Sequence, residues 1–294
     1  MYIYIMIHFQ LPRNNPNLFK YVDISLTDSV PVPVISNSLS FYLNDIKKKI
    51  DNKEKEWDTI KRYRNPCEYI HTSVPGKKKS VAKKKPLSRS YFKMIELVYF
   101  FKLLDKGNMK KENLTSFHLA EGPGGFIEAL SHIRDNKNDK YIGMSILDDV
   151  NDPNIPGWKK SKQFIQENPN VVIETGIDGT GDILNIDNFE YCKNSYANTM
   201  EIVTGDGGFD FSIDFNKQEY NAICAQKKIE NIHYTLNLID TNNKQEKINS
   251  LIKMNIKKSM DWCLKYGVLH NNITIVNQTT SGDENDGILF EDQK

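Results

Sequence analysis

Three clusters of glycine and acidic residues, each directly after an apolar run, constrain the fold of this chain more than any other feature. The clusters are HLAEGPGGF (His118 to Phe126), GIDGTGDI (Gly176 to Ile183) and VTGDGGFDFS (Val203 to Ser212). Apolar runs that end in such loops are typical of buried strands in open α/β sheets, which bind ligands at the carboxyl ends of their strands. The sequence therefore predicts three loops on adjacent strands that together form one binding site.

The first cluster joins a strand predicted over Ser116–Ala120 to a helix that begins at Gly125. Its glycines allow a tight turn and let a ligand come close to the backbone. The loop is neither G-x-G-x-x-G nor a Walker motif, and the carboxylate of Glu121 would repel a phosphate. We therefore expect a ligand that carries an amine or another positive charge. The alternative is that GPGG is only a tight strand-to-helix connection.

Two further residues have the position and type of catalytic groups. Lys93 lies in the first turns of a helix predicted from Ser88, which would be its N-cap, although periodicity alone favours a lysine that only extends to solvent. Asp206 follows a predicted central strand, Ile202–Thr204, and has glycines on both sides, so other groups can approach it closely. An aspartate at a strand end can also be a simple turn former.

Four motifs in a fixed order carry a resemblance to a known family: SRSYFKM (Ser88 to Met94), GPGGF, GIDGTGDI and GDGGF. From Pro86 to about Gln226 the chain resembles the FtsJ-type (RrmJ-like) S-adenosylmethionine-dependent RNA 2′-O-ribose methyltransferases, particularly the mRNA cap-1 branch. The resemblance implies a Rossmann-like α/β methyltransferase domain over residues 86–294, with a degenerate part after residue 226. Residues 1–85 would form an N-terminal helical extension that ends in a basic linker.

The resemblance also implies roles for individual residues. Asp182 and Ile183 would contact the adenine of S-adenosylmethionine, since a carboxylate can accept from the exocyclic amine while an apolar side chain covers the ring. Lys93 and Asp206 match the first two members of a catalytic lysine–aspartate–lysine–glutamate group. Glu121 would lie near the ammonium of the cofactor. The residues that would line its methionine end are Gly122, Pro123, Gly124, Gly125 and Phe126.

The third and fourth members of that group have no match. After an apolar opening at Tyr220–Gln226 the chain becomes polar and rich in asparagine, and no Gly-Gly turn, strand and lysine follow. If a helix over Ile256–Lys265 and a strand from Gly267 take that place, the residues near the missing lysine are His270, Asn271 and Asn272. The chain is then either a non-catalytic member that binds cofactor or RNA, or a shifted or truncated reading of a complete gene. We expect cofactor binding with weak or absent turnover.

Composition and charge set further expectations. The chain has 294 residues, 39% of them hydrophobic, and a net charge of +1, which suits one enzyme domain with an addition. The pattern over Leu39–Trp57 predicts one amphipathic helix. Lysines 77–79 and 83–85 in PGKKKSVAKKKP would attract the phosphates of RNA, and capped mRNA is the partner that the resemblance implies. A solvated loop is the alternative for these lysines.

The remaining predictions concern location, membranes and metals. The amino-terminal run MYIYIMIHFQLP is too short to span a bilayer and predicts an edge strand, so we expect no membrane partner. The four cysteines lack metal-ligand spacing, so we expect reduced thiols, a cytoplasmic location and no metal. A lysine- and asparagine-rich composition with these motifs suits a large DNA virus, and the protein would then act in a viral factory or virion.

Overall fold

The computed structural model describes residues 37–105, 112–147, 157–207 and 222–273. The predicted amino-terminal edge strand and the part of the third cluster after Gly207 lie outside these residues. Within them, a parallel sheet packs between helices on both of its faces. This arrangement confirms the predicted α/β, Rossmann-like fold class.

Four short strands form the sheet. They are β1 Thr115–Leu119, β2 Lys140–Met144, β3 Val171–Glu174 and β4 Ile202–Gly205. Their order is β3-β2-β1-β4 and each neighbouring pair is parallel, with Phe117 opposite Ile142 on one side and Val203 on the other. Because all four strands run in the same direction, their carboxyl ends lie at one edge of the sheet.

One prediction about this sheet is wrong in detail, and another stays a prediction. Among the described residues β4 lies at an edge of the sheet, and Val203 on it is 61% exposed, so a central place for the strand before Asp206 stays a prediction. The three glycine clusters are predicted to follow adjacent strands, but β2 separates β1 from β3. Strand order depends on how the crossover segments pack over the sheet, and local sequence patterns do not record it.

Helices cover both faces of the sheet. In the described residues they are α1 Asn37–Lys48, α2 Glu54–Ile60, α3 Ser90–Phe101, α4 Gly125–Arg134, α5 Lys162–Glu167, α6 Ile186–Tyr196, α7 Ala222–Ile239 and α8 Lys244–Lys265. Tyr141 of β2 packs into a large cluster with Ile127 and Leu130 of α4. The next residue, Ile142, packs with Cys192 of α6 in a smaller cluster. Because successive strand residues face opposite sides, α4 and α6 cover opposite faces.

The amino-terminal helices belong to the same hydrophobic core as the sheet. Leu43 and Ile46 of α1 share the large cluster with Ile232 and Leu236 of α7, and α1 packs along α7. Residues Lys61–Arg64, a 3₁₀ turn that follows α2, pack against α8. The segment before Ser88 is therefore joined to α7 and α8 by apolar contacts.

The predicted single helix over Leu39–Trp57 is wrong, because the chain forms two helices there. A 3₁₀ turn, Asp51–Lys53, separates α1 from α2, and Lys53 leaves the helical region with a φ of −132°. Aspartate and asparagine side chains compete with helical hydrogen bonds by bonding to the nearby backbone. The Asp51-Asn52 pair was the signal for this break.

The N-cap of helix α3 lies one residue later than predicted. Arg89 is its N-cap, and the hydroxyl of Ser88 bonds to the hydroxyl of Ser90 instead of capping the backbone. The predicted apolar stripe is buried in its first part, whereas Tyr99 and Phe101 are about half exposed. The buried residues of this helix are Tyr91, Phe92, Met94, Ile95 and Val98.

The polar stretch after Gln226 is helical. It lies in α7 and α8, and isoleucine and leucine side chains along one side of each helix pack in the large cluster. Helix α8 includes the predicted helix over Ile256–Lys265 and begins earlier, at Lys244. The predicted strand from Gly267 is not formed as far as the described residues reach, at Ile273. An isolated antiparallel bridge between Ala82 and His270 takes its place.

Candidate active site

The loops after β1 and β4 meet at the carboxyl edge of the sheet. A Cβ atom added to Gly207 would lie 3.0 Å from the Cβ of Ala120. The negative charge of Asp206 is close enough to raise the pKa of the Glu121 carboxyl. The first and third glycine clusters therefore adjoin, as the sequence predicts.

The second cluster joins them through the loop after β2. The backbone N–H of Leu147 donates to the carbonyl of Thr180 over 2.9 Å. A Cβ on Gly181 would lie only 2.0 Å from the carbonyl oxygen of Ser145, and the N–H of Glu121 donates to the carbonyl of Met144. Residues 145–147 thus lie between the first and second clusters. The signal for this loop in the sequence was its position directly after the apolar run Tyr141–Gly143, which lies in β2.

Lys93 and Asp206, the two predicted catalytic residues, form an ion pair. The Lys93 Nζ atom lies 2.8 Å from Oδ1 and 2.6 Å from Oδ2 of Asp206. Their side chains are 53% and 33% exposed, so solvent screens the pair and it adds little to stability. The pair remains accessible to another molecule at this edge.

Close packing of α3 against the first cluster positions Lys93. A Cβ on Gly125 would lie 2.1 Å from Oγ of Ser90 and 2.2 Å from Oγ of Ser88, so the start of α3 touches the start of α4. The hydroxyl of Tyr91 also bonds to Nδ1 of His132 on α4. The glycine thus permits an approach between two helices.

Glu121 caps the amino-terminal end of α4 from inside the protein. Its Oε1 atom accepts hydrogen bonds from the N–H groups of Phe126 at 2.7 Å and Ile127 at 3.0 Å. Burial raises the pKa of this carboxyl to about 7; the two N–H donors oppose the rise, and the charge of Asp206 adds to it. A cation placed beside Glu121 would offset the cost of its buried charge.

The rest of the GPGGF loop is mostly covered by protein. Pro123, Gly124, Gly125 and Phe126 are buried, whereas Gly122 is half-buried. The hydroxyl of Ser161 donates to the carbonyl of Pro123 over 2.5 Å. These contacts give a structural reason for several residues that we expected a ligand to need. Their predicted role in cofactor binding stays a prediction.

The second cluster is ordered around Asp178. The carboxylate of this residue accepts hydrogen bonds from Thr180, Asn185 and Asn188, and the bonds with Thr180 in particular lower its pKa to about 2. Asp178 therefore shapes its own turn. Gly176, with a φ of +74°, passes so close to Asn188 that an added Cβ would lie 2.3 Å from Oδ1 of that side chain.

The two residues predicted to contact adenine follow in the same loop. Asp182 is half-buried, and its Oδ1 atom accepts a hydrogen bond from the N–H of Leu184 over 2.9 Å. Ile183 packs against the small cluster between the sheet and α6. Leu184 is 72% exposed, and Ile146 and Ile177 in the neighbouring loops are also exposed. Apolar surface therefore lies beside the Asp182 carboxylate.

His118 is buried, and both of its ring nitrogens form hydrogen bonds. Its Nδ1 atom lies 2.7 Å from Oγ1 of Thr204 and its Nε2 atom lies 2.8 Å from Oγ of Ser116. Burial lowers its pKa to about 3, so the ring is neutral. His118 ties β1 to β4 just below the carboxyl edge.

The residues near the place of the missing lysine contact the basic linker. His270 pairs with Ala82, and Asn271 donates to the carbonyl of Ser80 through its side chain and to that of Val81 through its backbone. The Nζ atom of Lys265 lies 4.8 Å from the ring centre of Tyr266. Asn271 and Lys265 are thus engaged in contacts with the linker and with a neighbouring aromatic ring.

The described residues contain neither a candidate membrane span nor a candidate metal site. No helix among them is long and apolar enough to cross a bilayer. No group of three or more histidine, cysteine, aspartate or glutamate side chains in the same part of the chain is arranged to hold a metal ion. The described cysteines, Cys67, Cys192 and Cys263, are free thiols.

Comparison with known proteins agrees with this geometry. The chain is 26% identical over 217 residues to the cap-specific mRNA (nucleoside-2′-O-)-methyltransferase 2 of Danio rerio; the match covers 64% of this chain and 27% of that protein. The chain thus spans about a quarter of the length of that relative. The model of the FtsJ-like methyltransferases matches residues 86–268, more than half of the chain, and so the chain belongs to the FtsJ-like methyltransferase family.

Proposed function

We propose that this chain binds S-adenosylmethionine and transfers its methyl group to a ribose 2′-oxygen of RNA, at the mRNA cap and in the cap-1 position. The observation that carries the proposal is the Lys93–Asp206 ion pair at the carboxyl edge of the sheet. Members of the FtsJ-like family generally use this cofactor. The name of the Danio rerio relative supports capped mRNA as the substrate class.

The residues at the carboxyl edge fit S-adenosylmethionine. The exposed side chains of Ile146, Ile177 and Leu184 offer apolar surface for an adenine ring, and the Asp182 carboxylate beside them can accept from its amine. Glu121 offers a buried carboxylate whose charge a cation would stabilise. Residues Glu121–Phe126 would hold the methionine end, with half-buried Gly122 the most accessible of them.

The ion pair suits the chemistry of the ribose hydroxyl. When bound, S-adenosylmethionine supplies an electrophilic methyl group, and its sulfur keeps the bonding electrons as that group leaves. Lys93 Nζ would orient the 2′-hydroxyl in line with the methyl carbon, and the Asp206 carboxylate would take up the hydroxyl proton as the C–O bond forms. Alignment alone can supply effective molarities on the order of 10⁵ M.

A second candidate function is a non-catalytic subunit that binds the cofactor or RNA. The sequence offers no match to the third member of the catalytic group, a lysine. The residues near its place, His270 and Asn271, are bonded to linker residues Ser80–Ala82. Groups that act as a unit in catalysis fail together when one is lost. This candidate predicts cofactor binding without turnover.

One assay separates the two candidates. The protein is incubated with capped or uncapped RNA and methyl-labelled S-adenosylmethionine, and the label is mapped to its nucleotide and atom. Label on the 2′-oxygen of the first transcribed nucleotide, lost in Lys93→Ala and Asp206→Ala but kept in Lys140→Ala, supports cap-1 methylation. Cofactor binding without label supports the non-catalytic subunit. No cofactor binding at millimolar concentration contradicts the first candidate and restricts the second to a subunit that binds RNA alone.

A further inference from the structure

A basic cleft lies at the start of α3, apart from the Lys93–Asp206 pair. It has a volume of about 290 Å³ and is formed where the lysine-rich linker passes the segment around His71. The linker, the start of α3 and the 71–73 segment each contribute polar side chains to its walls. They include His71, Ser73, Lys84, Lys85, Ser88 and Arg89.

A buried carboxylate fixes the linker wall of this cleft. Glu128 of α4 is 7% exposed, and its Oε1 atom lies 2.9 Å from Nζ of Lys84. Its Oε2 atom accepts a hydrogen bond from the N–H of Leu87 over 2.8 Å. The linker is therefore attached to the body of the protein at two points. The charge of Lys84 is balanced by the same contact.

Two cations of the cleft have no such balance. Lys85 and Arg89 are exposed, and in the part of the chain that the structure describes no carboxylate forms an ion pair with either of them. Burial lowers the pKa of His71, and the nearby charge of Arg89 lowers it further against the opposing effect of Glu68. A neutral histidine and the serine hydroxyls supply hydrogen-bond donors beside the two positive charges.

We propose that this cleft binds phosphate groups of the RNA substrate. Phosphate oxygens accept charge-assisted hydrogen bonds from lysine and arginine and further hydrogen bonds from hydroxyl and imidazole groups, which are the donors present here. Arg89 and Lys93 are four positions apart, so they lie on one side of α3, about 6 Å apart along its axis. A phosphate at Arg89 would hold the RNA beside the ion pair. That the ligand is RNA rests on the proposed function, whereas phosphate binding by the cleft does not require methyl transfer.

RNA binding without cofactor tests the proposal. A labelled RNA of fixed length is titrated at several salt concentrations with the full chain, with the double variant Lys85→Ala/Arg89→Ala, and with the matched control Lys140→Ala/Lys193→Ala. The control removes two exposed lysines, at the start of β2 and on α6, outside the cleft. Each phosphate contact on a single strand contributes about 0.7 to the slope of log K against log salt. We expect the cleft variant to lose about 1.4 of that slope and the control to keep it. Equal losses in both variants would overturn the proposal.

Two further arms identify the phosphate and remove the dependence on RNA. An RNA with a 5′-triphosphate is compared with the same sequence bearing a 5′-hydroxyl: a preference that disappears in the cleft variant assigns the cleft to terminal phosphates, and equal losses for both RNAs assign it to internal ones. Inorganic phosphate alone should shift the NMR signals of the His71 ring in the full chain. Absence of that shift in millimolar phosphate contradicts the proposal even if methylation is active.

Discussion

Glu121 is the residue at which burial and charge conflict most directly. Its folded pKa of about 7 lies above the ordinary value of 4.5, so the folded state keeps a proton that the unfolded state releases between these values. Stability contributed by the protonated form is therefore lost as pH rises from about 4.5 to 7, by up to about 3 kcal/mol. Glutamine keeps the oxygen that accepts from Phe126 and Ile127 but carries no charge. We expect Glu121→Gln to be more stable than the parent at pH 8 and nearly equal to it at pH 4.5.

Urea unfolding at pH 4.5 and pH 8 measures this difference. Glu190→Gln is a suitable control, because Glu190 is exposed on α6 and its substitution should change stability equally little at both values of pH. A Glu121→Gln variant that is less stable than the parent at pH 8 would mean that the charged carboxylate is favoured at the end of α4. Helix capping would then outweigh burial at this position.

Gly179 and Gly181 differ in one respect that a substitution can isolate. Both have a left-handed backbone, with φ of +76° and +74°, and an alanine is strained at either position by about 1–2 kcal/mol. A Cβ on Gly181 would also lie 2.0 Å from the carbonyl oxygen of Ser145, whereas one on Gly179 meets nothing within 4 Å. We expect Gly181→Ala to cost about 1–3 kcal/mol more than Gly179→Ala in urea unfolding. Equal costs would show that the loop after β2 moves away freely.

At the scale of elements, the contact of α8 with the 3₁₀ turn Lys61–Arg64 joins the two ends of the described chain. Asn255 of α8 is 1% exposed, and its side chain donates to the carbonyl of Tyr63 over 2.8 Å. Replacing it with alanine removes the donor and leaves the carbonyl of half-buried Tyr63 without this hydrogen bond. We expect Asn255→Ala to lower the free energy of unfolding by about 1–3 kcal/mol.

The matched control for this contact is Asn242→Ala. Asn242 lies in the exposed turn between α7 and α8, and its replacement should change stability by no more than about 0.5 kcal/mol. Thermal or urea unfolding of both variants gives the comparison. If Asn255→Ala is as mild as the control, α8 is attached to the amino-terminal segment by its apolar side chains alone.

The elements differ in how far their sequence predicts them. The strands before the glycine clusters and the stripe on α3 were predictable, because apolar periodicity and the glycine turns agree locally. The break between α1 and α2 depends on the short Asp51–Lys53 turn, which an amphipathic pattern runs across. After Gln226 the sequence predicted only the end of α8, Ile256–Lys265, because a polar, asparagine-rich sequence hides the few buried positions of α7 and of the first part of α8.

At the scale of the whole molecule, the sequence predicted the contact between catalytic candidates better than it predicted the packing roles of individual residues. Lys93 and Asp206 are 113 positions apart, and only the family resemblance, not periodicity, brought them together before the structure did. For Gly125 the role in cofactor binding stays a prediction, and the structure adds a reason that the sequence did not offer, since this glycine permits contact with Ser88 and Ser90. Close approaches between distant segments depend on tertiary packing, which a local pattern cannot express.

Cofactor binding should stabilise the whole fold, because the loops that would hold the cofactor follow different strands. A ligand that binds only the folded state at about 100 times its Kd raises the free energy of unfolding by about 2.7 kcal/mol. We expect S-adenosylmethionine to give this increase in the parent and in Lys93→Ala, since Lys93 is proposed to act on the ribose. Asp182→Ala should reduce it, because a lost charge-assisted partner weakens binding by about 1–3 kcal/mol.

Asp187→Ala provides the control, since Asp187 is an exposed carboxylate in the first turn of α6 that follows the same loop. Each variant is compared with and without cofactor, so the effect of the substitution on the stability of the cofactor-free protein cancels. Urea unfolding at a fixed cofactor concentration measures the four increases. Stabilisation that survives Asp182→Ala but is lost in Lys93→Ala would place the cofactor near α3 instead of the second glycine cluster, and the assignment of the adenine side would then be wrong.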